Sequence, residues 1–267
     1  MKIPQNLKCF DALVDIIAWL RGPEGCPWDR KQSHRSLREH LLEETYEVLE
    51  ALDEENGDRL RAELGDLLMQ IVMHAELAKE AGEFNIEDVI EDINRKLIAR
   101  HPHVFGSRRA KTAEDVLMHW EELKKKERGG AGSMLDGVPK SLPALAYSQS
   151  VQDRVARVGF DWPSDEGVID KLTEEIAEFK AGATLEEKSV EFGDILFTMT
   201  NYARRQGIDV EAALRGANYK FFRRFSCLEE LARTRKLDIG KMTLDELDWL
   251  WDEAKSAAFN GPGGHST

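Results

Sequence analysis

Apolar residues recur every three to four positions along most of the chain, which is the spacing of one face of an α-helix. In the first half this pattern predicts helices over about 7–21, 35–55, 59–82, 86–101 and 112–127. After residue 141 it predicts helices over about 142–157, 166–181, 185–206, 209–233 and 242–258. No stretch shows the convincing alternation of apolar and polar residues that marks a strand. The chain is therefore expected to be all-α.

A segment rich in glycine, serine and proline, RGGAGSMLDGVPKSLP, separates the two runs of predicted helices. This composition is typical of a linker between domains. We therefore expect two helical bundles in tandem. The expected bounds are 1–128 for the first domain, 129–141 for the linker, 142–260 for the second domain and 261–267 for a disordered tail.

Short sequence signals predict a loop and helix ends in the first domain. The string GPEGCP predicts a loop over residues 22–27. Ser36 and Glu39 have the spacing of a capping box at the start of the second helix. Gly57 is expected to stop that helix, because glycine is the usual residue just beyond a helix end.

Charge and cysteine content narrow the functional classes. The formal net charge is −13 over 267 residues and is shared almost evenly between the halves. Such a field repels a nucleic-acid backbone, so we expect no nucleic-acid partner, and an anionic substrate would need a cation as a bridge. Three scattered cysteines, no signal peptide and no apolar run near a membrane span favour the cytoplasm and no membrane association.

The most informative pattern is a duplicated set of acids. In each half a Glu-x-x-Glu pair precedes a Glu-x-x-Asp pair that opens an apolar run. The first set is Glu44, Glu47, Glu63 and Asp66, and the second is Glu175, Glu178, Glu191 and Asp194. Four carboxylates on two neighbouring helices are suited to a hard divalent cation, and such a cation between helices points to phosphate chemistry.

Helical phasing supports a shared groove for these acids. Glu44 and Glu47 lie on the shoulder of the apolar face of their helix, with the small Ala51 between them, whereas Glu43 points to water. The Glu-x-x-Asp pairs stand in helices that are apolar on nearly every side, so we expect these acids to be buried and held by metal. Gly65 and Gly193 precede the two aspartates and permit close approach of another helix or a ligand.

A third element also repeats, with the form Asn-x-Lys-x-x-x-Arg. Its members are Asn94, Lys96 and Arg100 in the first half and Asn218, Lys220 and Arg224 in the second. The lysine and arginine of each copy share a helix face and are candidates for triphosphate contacts or for salt bridges to acids of neighbouring helices. Trp28 and Trp162 each stand beside a turn and are candidates for stacking on a nucleobase or for ordinary packing.

Several other sites are disfavoured. The chain contains no P-loop, dinucleotide-binding, serine-hydrolase or zinc-protease motif. His101-Pro-His103 has no further histidine or cysteine nearby and is interpreted as a helix-terminating turn.

The chain resembles the MazG family of nucleoside triphosphate pyrophosphohydrolases over nearly its whole length. The resemblance rests in the first half on CPWDRKQSHRSLREHLLEETYEVLEAL, AELGDLLMQIVMHAELAKE and KLIARHPHVF. In the second half it rests on RVARVGFDWP, EEIAEFKA, EFGDILF and ANYKFFRRF. It implies an all-α fold with two tandem MazG-like domains and an intertwined homodimer. It also implies Mg²⁺-dependent hydrolysis of (d)NTPs to nucleoside monophosphate and pyrophosphate, with broad base tolerance and a role in cleaning the nucleotide pool.

The resemblance also implies roles for individual residues. The eight acids would bind Mg²⁺, and Lys220 and Arg224 would contact substrate or support the site. Among the acids, Glu178, and Glu47 in the first copy, are our candidates for the base that accepts a proton from the attacking water. The family often has several acids in a row before the Gly-Asp of its second half, whereas this chain has Ser189, Val190 and Glu191. In relatives the C-terminal half can carry most of the activity.

Three alternatives remain at this point. A narrower all-α pyrophosphohydrolase would act on dUTP, dCTP or phosphoribosyl-ATP. A ferritin-like di-iron protein is also a carboxylate bundle, but it requires Glu-x-x-His pairs that are absent from both acid sets. A nucleotide-sensing protein would bind (d)NTPs at one or both sites without turnover.

Overall fold

The computed structural model of the chain describes residues 3–107 and 132–259, together with Arg109, Thr112 and Val116. The chain divides into two compact units, Met1–Ala131 and Gly132–Thr267. The described residues form helices and turns without a strand, which confirms the all-α prediction. Most of the predicted 112–127 helix, the start of the 129–141 linker and the 261–267 tail lie outside the described residues.

The described part of the first unit is built around a helical hairpin. Its helices are α1 (Phe10–Arg21), α2 (Leu37–Asp53), α3 (Gly57–Glu80), α4 (Ile86–Arg100) and the single turn α5 (Pro102–Phe105). Helices α2 and α3 form the hairpin, α1 packs against α3, and α4 also contacts α3. Each of the four long helices falls within a few residues of its predicted range.

The second unit repeats the hairpin. Its helices are α6 (Ala144–Ala156), α7 (Asp165–Ala181), α8 (Leu185–Arg205), α9 (Val210–Thr234) and α10 (Leu244–Phe259). Helices α7 and α8 form the counterpart of the α2/α3 hairpin, α6 packs on α8, and α9 pairs with α10.

Two local predictions in the first unit are wrong. The hydroxyl of Ser36 donates to Gln32 Oε1 at 2.7 Å, and it makes no cap hydrogen bond to the start of α2. Gly57 does not stop α2 but opens α3, behind the Asn56 side chain, which accepts from Arg59 N. The turn is instead made at Glu55, which has a φ of 52°.

The loop after α1 explains one glycine of the GPEGCP string. Cys26 N donates to Leu20 O at 2.7 Å and folds the loop back onto the end of α1. A Cβ on Gly25 would lie 2.2 Å from Leu20 O, so no side chain fits there without moving the backbone. The loop therefore needs glycine for a close backbone approach.

Each unit has a small core of its own. In the first unit Ile17, Leu37, Val72 and Met73 are buried together, which joins α1, α2 and α3. In the second unit the corresponding cluster joins α9 and α10 through Leu228, Ala232, Leu250 and Ala254.

A row of apolar side chains on α3 and another on α8 are not covered. On α3 the row is Leu64, Leu68 and Ile71. On α8 it is Phe192, Leu196 and Met199, and Met199 is 51 % exposed. The expectation that these helices are buried all round is therefore wrong for the described chain, because one side of each has no neighbour among the described residues of its own unit.

Part of the segment predicted as a linker folds against α6. The Arg154 guanidinium donates to the carbonyl oxygens of Met134, Asp136 and Gly137, and Val138 is buried. The predicted domain bounds themselves stay a prediction. Among the described helices, none combines the length and apolar character that crossing a membrane requires.

Candidate metal centres

The first hairpin brings three of its four predicted acids together. Glu44 on α2 and Glu63 and Asp66 on α3 each place one carboxylate oxygen within 4.8 Å of the other two. We call these residues the first trio. Glu63 is half-buried, whereas Asp66 is exposed. The expected burial of Asp66 is therefore wrong for the described chain.

Glu47 lies beside the first trio without being part of it. Burial, and then the negative charges of Asp66 and Glu47, raise the pKa of Glu44 above its ordinary value. A hydrogen bond between Glu44 and Glu47 adds to this shift. The acids therefore repel one another, and a bound cation would relieve that repulsion.

In the second hairpin a different combination of three acids lies close together. Glu175 and Glu178 on α7 and Glu191 on α8 each place one carboxylate oxygen within 4.8 Å of the other two. We call these residues the second trio. Glu175 is 5 % exposed, and Asp194 is outside the trio and exposed. Burial, and then the charges of Glu178, Glu175 and Asp194, raise the pKa of Glu191.

The positions of the acids relative to the connecting turn account for the exclusion of Asp194. Glu63 and Glu191 occupy equivalent positions, each six residues after the start of its helix. Glu47 lies six residues before the end of α2, whereas Glu178 lies only three residues before the end of α7. The Glu-x-x-Glu pair of the second hairpin is therefore about one helical turn, roughly 5 Å, nearer to the connecting turn. Glu191 comes level with Glu175, and Asp194 lies a turn beyond.

Both trios carry a cation that the sequence analysis missed. Lys171 Nζ lies 2.7 Å from Glu175 Oε1 and 2.9 Å from Glu174 Oε1. In the first hairpin, Arg59 Nε lies 3.4 Å from Glu63 Oε1. Each cation stands four residues before its acid on the same helix, which is a spacing that the sequence already contains.

The repeated Asn-x-Lys-x-x-x-Arg elements lie on other helices. Asn94, Lys96 and Arg100 are on α4, and Asn218, Lys220 and Arg224 are on α9. Within the described parts of the chain, no ion pair joins Lys96, Lys220 or Arg224 to either trio. Their predicted role in substrate binding stays a prediction.

The two tryptophans contact the acid-bearing helices at different distances from the acids. The Trp28 ring meets the His40 ring edge-on at 5.8 Å, and His40 is one helical turn before Glu44. Trp162 instead packs against Gly167, where a Cβ would lie 2.7 Å from the indole. Gly167 is two turns before Glu175, so the helix residue that Trp28 contacts lies closer to the acids than the one that Trp162 contacts.

The donor sets fit a hard divalent cation. Both trios offer only carboxylate oxygens, which are the ligands that Mg²⁺ and Ca²⁺ prefer. No histidine takes part in either of the trios found among the described residues, and this disfavours the di-iron alternative.

Comparison with known proteins places these hairpins in a family. The family model for the MazG nucleotide pyrophosphohydrolase domain matches residues 32–105, which include the first trio. The chain is 44 % identical to the nucleoside triphosphate pyrophosphohydrolase/pyrophosphatase MazG of Thermotoga maritima, over 92 % of this chain and 95 % of that protein. It is also 44 % identical to the nucleoside triphosphate pyrophosphohydrolase of Escherichia coli, over 92 % of this chain and 97 % of that protein. A protein of the same name from Mycolicibacterium smegmatis is 41 % identical over 56 % of this chain and 47 % of its own length.

Proposed function

This chain belongs to the MazG nucleotide pyrophosphohydrolase family, and we propose that it hydrolyses (d)NTPs to nucleoside monophosphate and pyrophosphate. The observation that carries the proposal is the pair of carboxylate trios, each built on the same helical hairpin. The names of the relatives state the same reaction class. We propose that the enzyme tolerates different bases and clears unwanted nucleotides from the pool.

Mg²⁺ is the proposed metal at both hairpins. The first trio together with Glu47, and the second trio together with Asp194, would hold it. When bound, Mg²⁺ neutralises charge on the phosphates and lowers the pKa of a water molecule. The crowding of acids supports this assignment, because the raised pKa values of Glu44 and Glu191 show that unneutralised carboxylates are already close together.

The protein residues have the tasks of binding, orientation and proton transfer. Lys220 and Arg224, and in the first unit Lys96 and Arg100, are proposed to bind phosphate oxygens as cations on one helix face. Trp28 and Trp162 are proposed to stack on the base, and Asn94 and Asn218 to contact the substrate. Glu178 and Glu47 are proposed as bases that take the proton from the attacking water. Glu178 is exposed within its trio, so solvent reaches it directly.

A homodimer is proposed to cover the bare sides of α3 and α8. Each row is contiguous along its helix and has no partner among the residues of its unit that the structure describes: Leu64, Leu68 and Ile71 on α3, and Phe192, Leu196 and Met199 on α8. Apolar surface of this kind is typical of an interface. Sedimentation equilibrium should give twice the chain mass. A chain that sediments as a monomer across the micromolar range contradicts the dimer.

The decisive experiment for the proposed function is pyrophosphate release in Mg²⁺ from all eight NTPs and dNTPs. A variant combining Glu178→Gln, Glu191→Gln, Glu47→Gln and Glu63→Gln should lose turnover, since each trio loses at least one carboxylate. The control is Glu43→Gln, which removes an exposed acid next to Glu44. Unchanged turnover in the combined variant contradicts the carboxylate mechanism. Nucleotide binding without pyrophosphate release in the wild-type chain favours a sensing protein, and release from a single base favours a narrow enzyme.

A further inference from the structure

Arg59 joins one acid of the first trio to two acids that are not part of it. It lies in the first turn of α3, and its side chain is 30 % exposed. Its guanidinium lies 2.8 Å from Glu50 Oε2, 2.8 Å from Glu54 Oε1 and 3.4 Å from Glu63 Oε1. The two shorter contacts reach back to α2 and its end, so the turn between the helices is bridged by one cation.

These contacts hold the positive charge in place. The hydrogen bonds that Arg59 donates to Glu54 and Glu50 raise the pKa of Arg59 further above its ordinary value, so the side chain remains charged. A planar guanidinium with two close anchors keeps its position when its third partner, Glu63, acquires another ligand. The positive charge of Arg59 therefore stays next to Glu63 whether or not a metal ion is bound.

The second hairpin lacks this arrangement. The residue equivalent to Arg59, four positions before Glu191, is Glu187, whose carboxylate accepts hydrogen bonds from the backbone of Ala183 and Thr184. The cation of the second trio is Lys171, and its other close partner, Glu174, is an exposed neighbour on the same helix. A lysine on a flexible four-carbon chain is free to move away from Glu175 when another cation arrives.

We propose that Arg59 is a built-in counter-ion that weakens metal binding at the first trio, so that the second trio fills at a lower concentration of divalent cation. The inference rests on the proposed function, because it assumes that both trios bind metal. Two effects oppose each other at Arg59. Its hydrogen bond orients Glu63, which favours metal binding, and its charge repels a divalent cation, which disfavours it. The long 3.4 Å contact makes the orienting effect small, so repulsion dominates.

The test uses the full chain with the second trio disabled by Glu175→Gln and Glu191→Gln. Mn²⁺ is the probe, and the free ion is measured by its electron paramagnetic resonance signal. In this background Arg59→Gln should tighten Mn²⁺ binding about threefold to tenfold at low salt, because one nearby positive charge is lost. The difference should shrink as salt is raised to about 0.5 M, where charges are screened.

Two control variants separate charge from fold. Arg59→Lys keeps the charge and should bind Mn²⁺ within about twofold of the background chain. Arg61→Gln removes the same charge from the same helix, but Arg61 is exposed and pairs only with Asp58 in the described chain. It should leave Mn²⁺ binding unchanged. Thermal unfolding of each variant checks that the first unit is intact.

A second comparison does not depend on any change at Arg59. A chain with the first trio disabled by Glu44→Gln and Glu63→Gln should bind Mn²⁺ more tightly than the chain with the second trio disabled. Equal affinities overturn the inference, as does an Arg59→Gln variant that binds Mn²⁺ no more tightly than Arg61→Gln. A wild-type chain that binds no Mn²⁺ contradicts the proposed function itself.

Discussion

The α2/α3 hairpin and the α7/α8 hairpin carry the same acids and assemble different sites from them. The first trio takes one carboxylate from the earlier helix and two from the later one, and the second trio does the reverse. Asp194 is left out because α7 continues only three residues past Glu178, whereas α2 continues six residues past Glu47. A repeated motif therefore specifies which residues are available, while the distance of each acid from the connecting turn helps to decide which of them meet.

We expect the largest effect on metal affinity, where the same substitution should have different consequences at equivalent positions of the two hairpins. With the other hairpin disabled, Asp66→Asn and Glu178→Gln should each weaken Mn²⁺ binding on the order of 100-fold, since each removes a member of a trio. Glu47→Gln and Asp194→Asn should weaken it about tenfold or less, as expected for groups beside the ligands. Titration of the free Mn²⁺ signal measures both. Equal losses at Asp66 and Glu47, or at Glu178 and Asp194, would show that all four acids bind alike.

A smaller effect concerns the buried arginine of each unit. Arg204 is 10 % exposed and pairs with Asp161, whose side chain is only 20 % exposed. Arg204→Ala should cost about 2 kcal/mol of unfolding free energy, because Asp161 would be left poorly solvated with only the longer 3.5 Å contact to Arg205 as an ion pair. Denaturant unfolding monitored by circular dichroism measures the loss.

The corresponding change in the first unit should cost less. Arg21 pairs with Glu80 at 2.7 Å, but Glu80 is 43 % exposed and water can replace the arginine. Arg21→Ala should therefore cost about 1 kcal/mol, which includes the hydrogen bond to Asp29 O. Exposed Arg61→Ala is the control and should fall within about 0.5 kcal/mol of the wild type. A larger loss at Arg21 than at Arg204 would reverse the comparison.

The glycines before the two aspartates test what covers α3 and α8. A Cβ built on Gly65 or Gly193 meets nothing within 4 Å in the described chain. An isolated chain should therefore gain about 0.5–1 kcal/mol from Gly65→Ala or Gly193→Ala, the usual gain from alanine within a helix. If a second copy packs closely on these helices, the added methyl group would instead displace it. Unfolding free energy and sedimentation, measured on the same samples, distinguish the two results.

The smallest effect concerns a histidine pair for which the second hairpin has no equivalent at the same position. His74 on α3 stacks on His34, with their Nδ1 atoms 2.8 Å apart. Burial, and then the nearby His34, lower the pKa of His74 below its ordinary value of 6.5. The unfolded chain therefore takes up the proton first, so the stability contributed by neutral His74 is complete above pH 6.5 and is lost as the pH falls below it.

His74→Phe should reduce this pH dependence while keeping a ring against His34. Unfolding free energy at about pH 7.5 and about pH 5.5, on either side of the ordinary histidine pKa, gives the two slopes. His101→Phe is the matched control, because it removes a histidine outside the pair. Identical slopes in wild type and His74→Phe would show that the pair does not titrate with unfolding.

Sequence periodicity predicted the nine long helices that the structure describes to within a few residues, because each carries apolar residues at helical spacing. It failed at Ser36 and Gly57, where the outcome depended on hydrogen bonds made by Gln32 and on the backbone of Glu55. The candidate site was predictable as eight acids on two hairpins. The exclusion of Asp194 from the second trio was not, because it depends on how far α7 continues past its acids. The exclusion of Glu47 from the first trio has no such explanation, since Glu47 and Glu63 are equally far from their turn.

The burial of the acids was the weakest expectation. An apolar sequence such as that of α3 or α8 indicates that the helix prefers to be covered, but it does not say by what. Sequence spacing alone would have found Arg59 and Lys171, since each stands four residues before a trio member. Their different anchoring becomes visible only when Glu50, Glu54 and Glu174 are placed around them.

The Glu-x-x-Asp acids share their helices with the bare apolar rows, and this has a thermodynamic consequence. In the proposed dimer, an ion that binds more tightly to the assembled form must strengthen assembly by the same factor, since coupling between two binding events is reciprocal. Dilution would then reduce turnover by separating the two copies. A protein that bound α8 in place of the second copy would also reduce turnover, without touching the acids. The turnover of each chain would thus depend on the concentration of the protein itself.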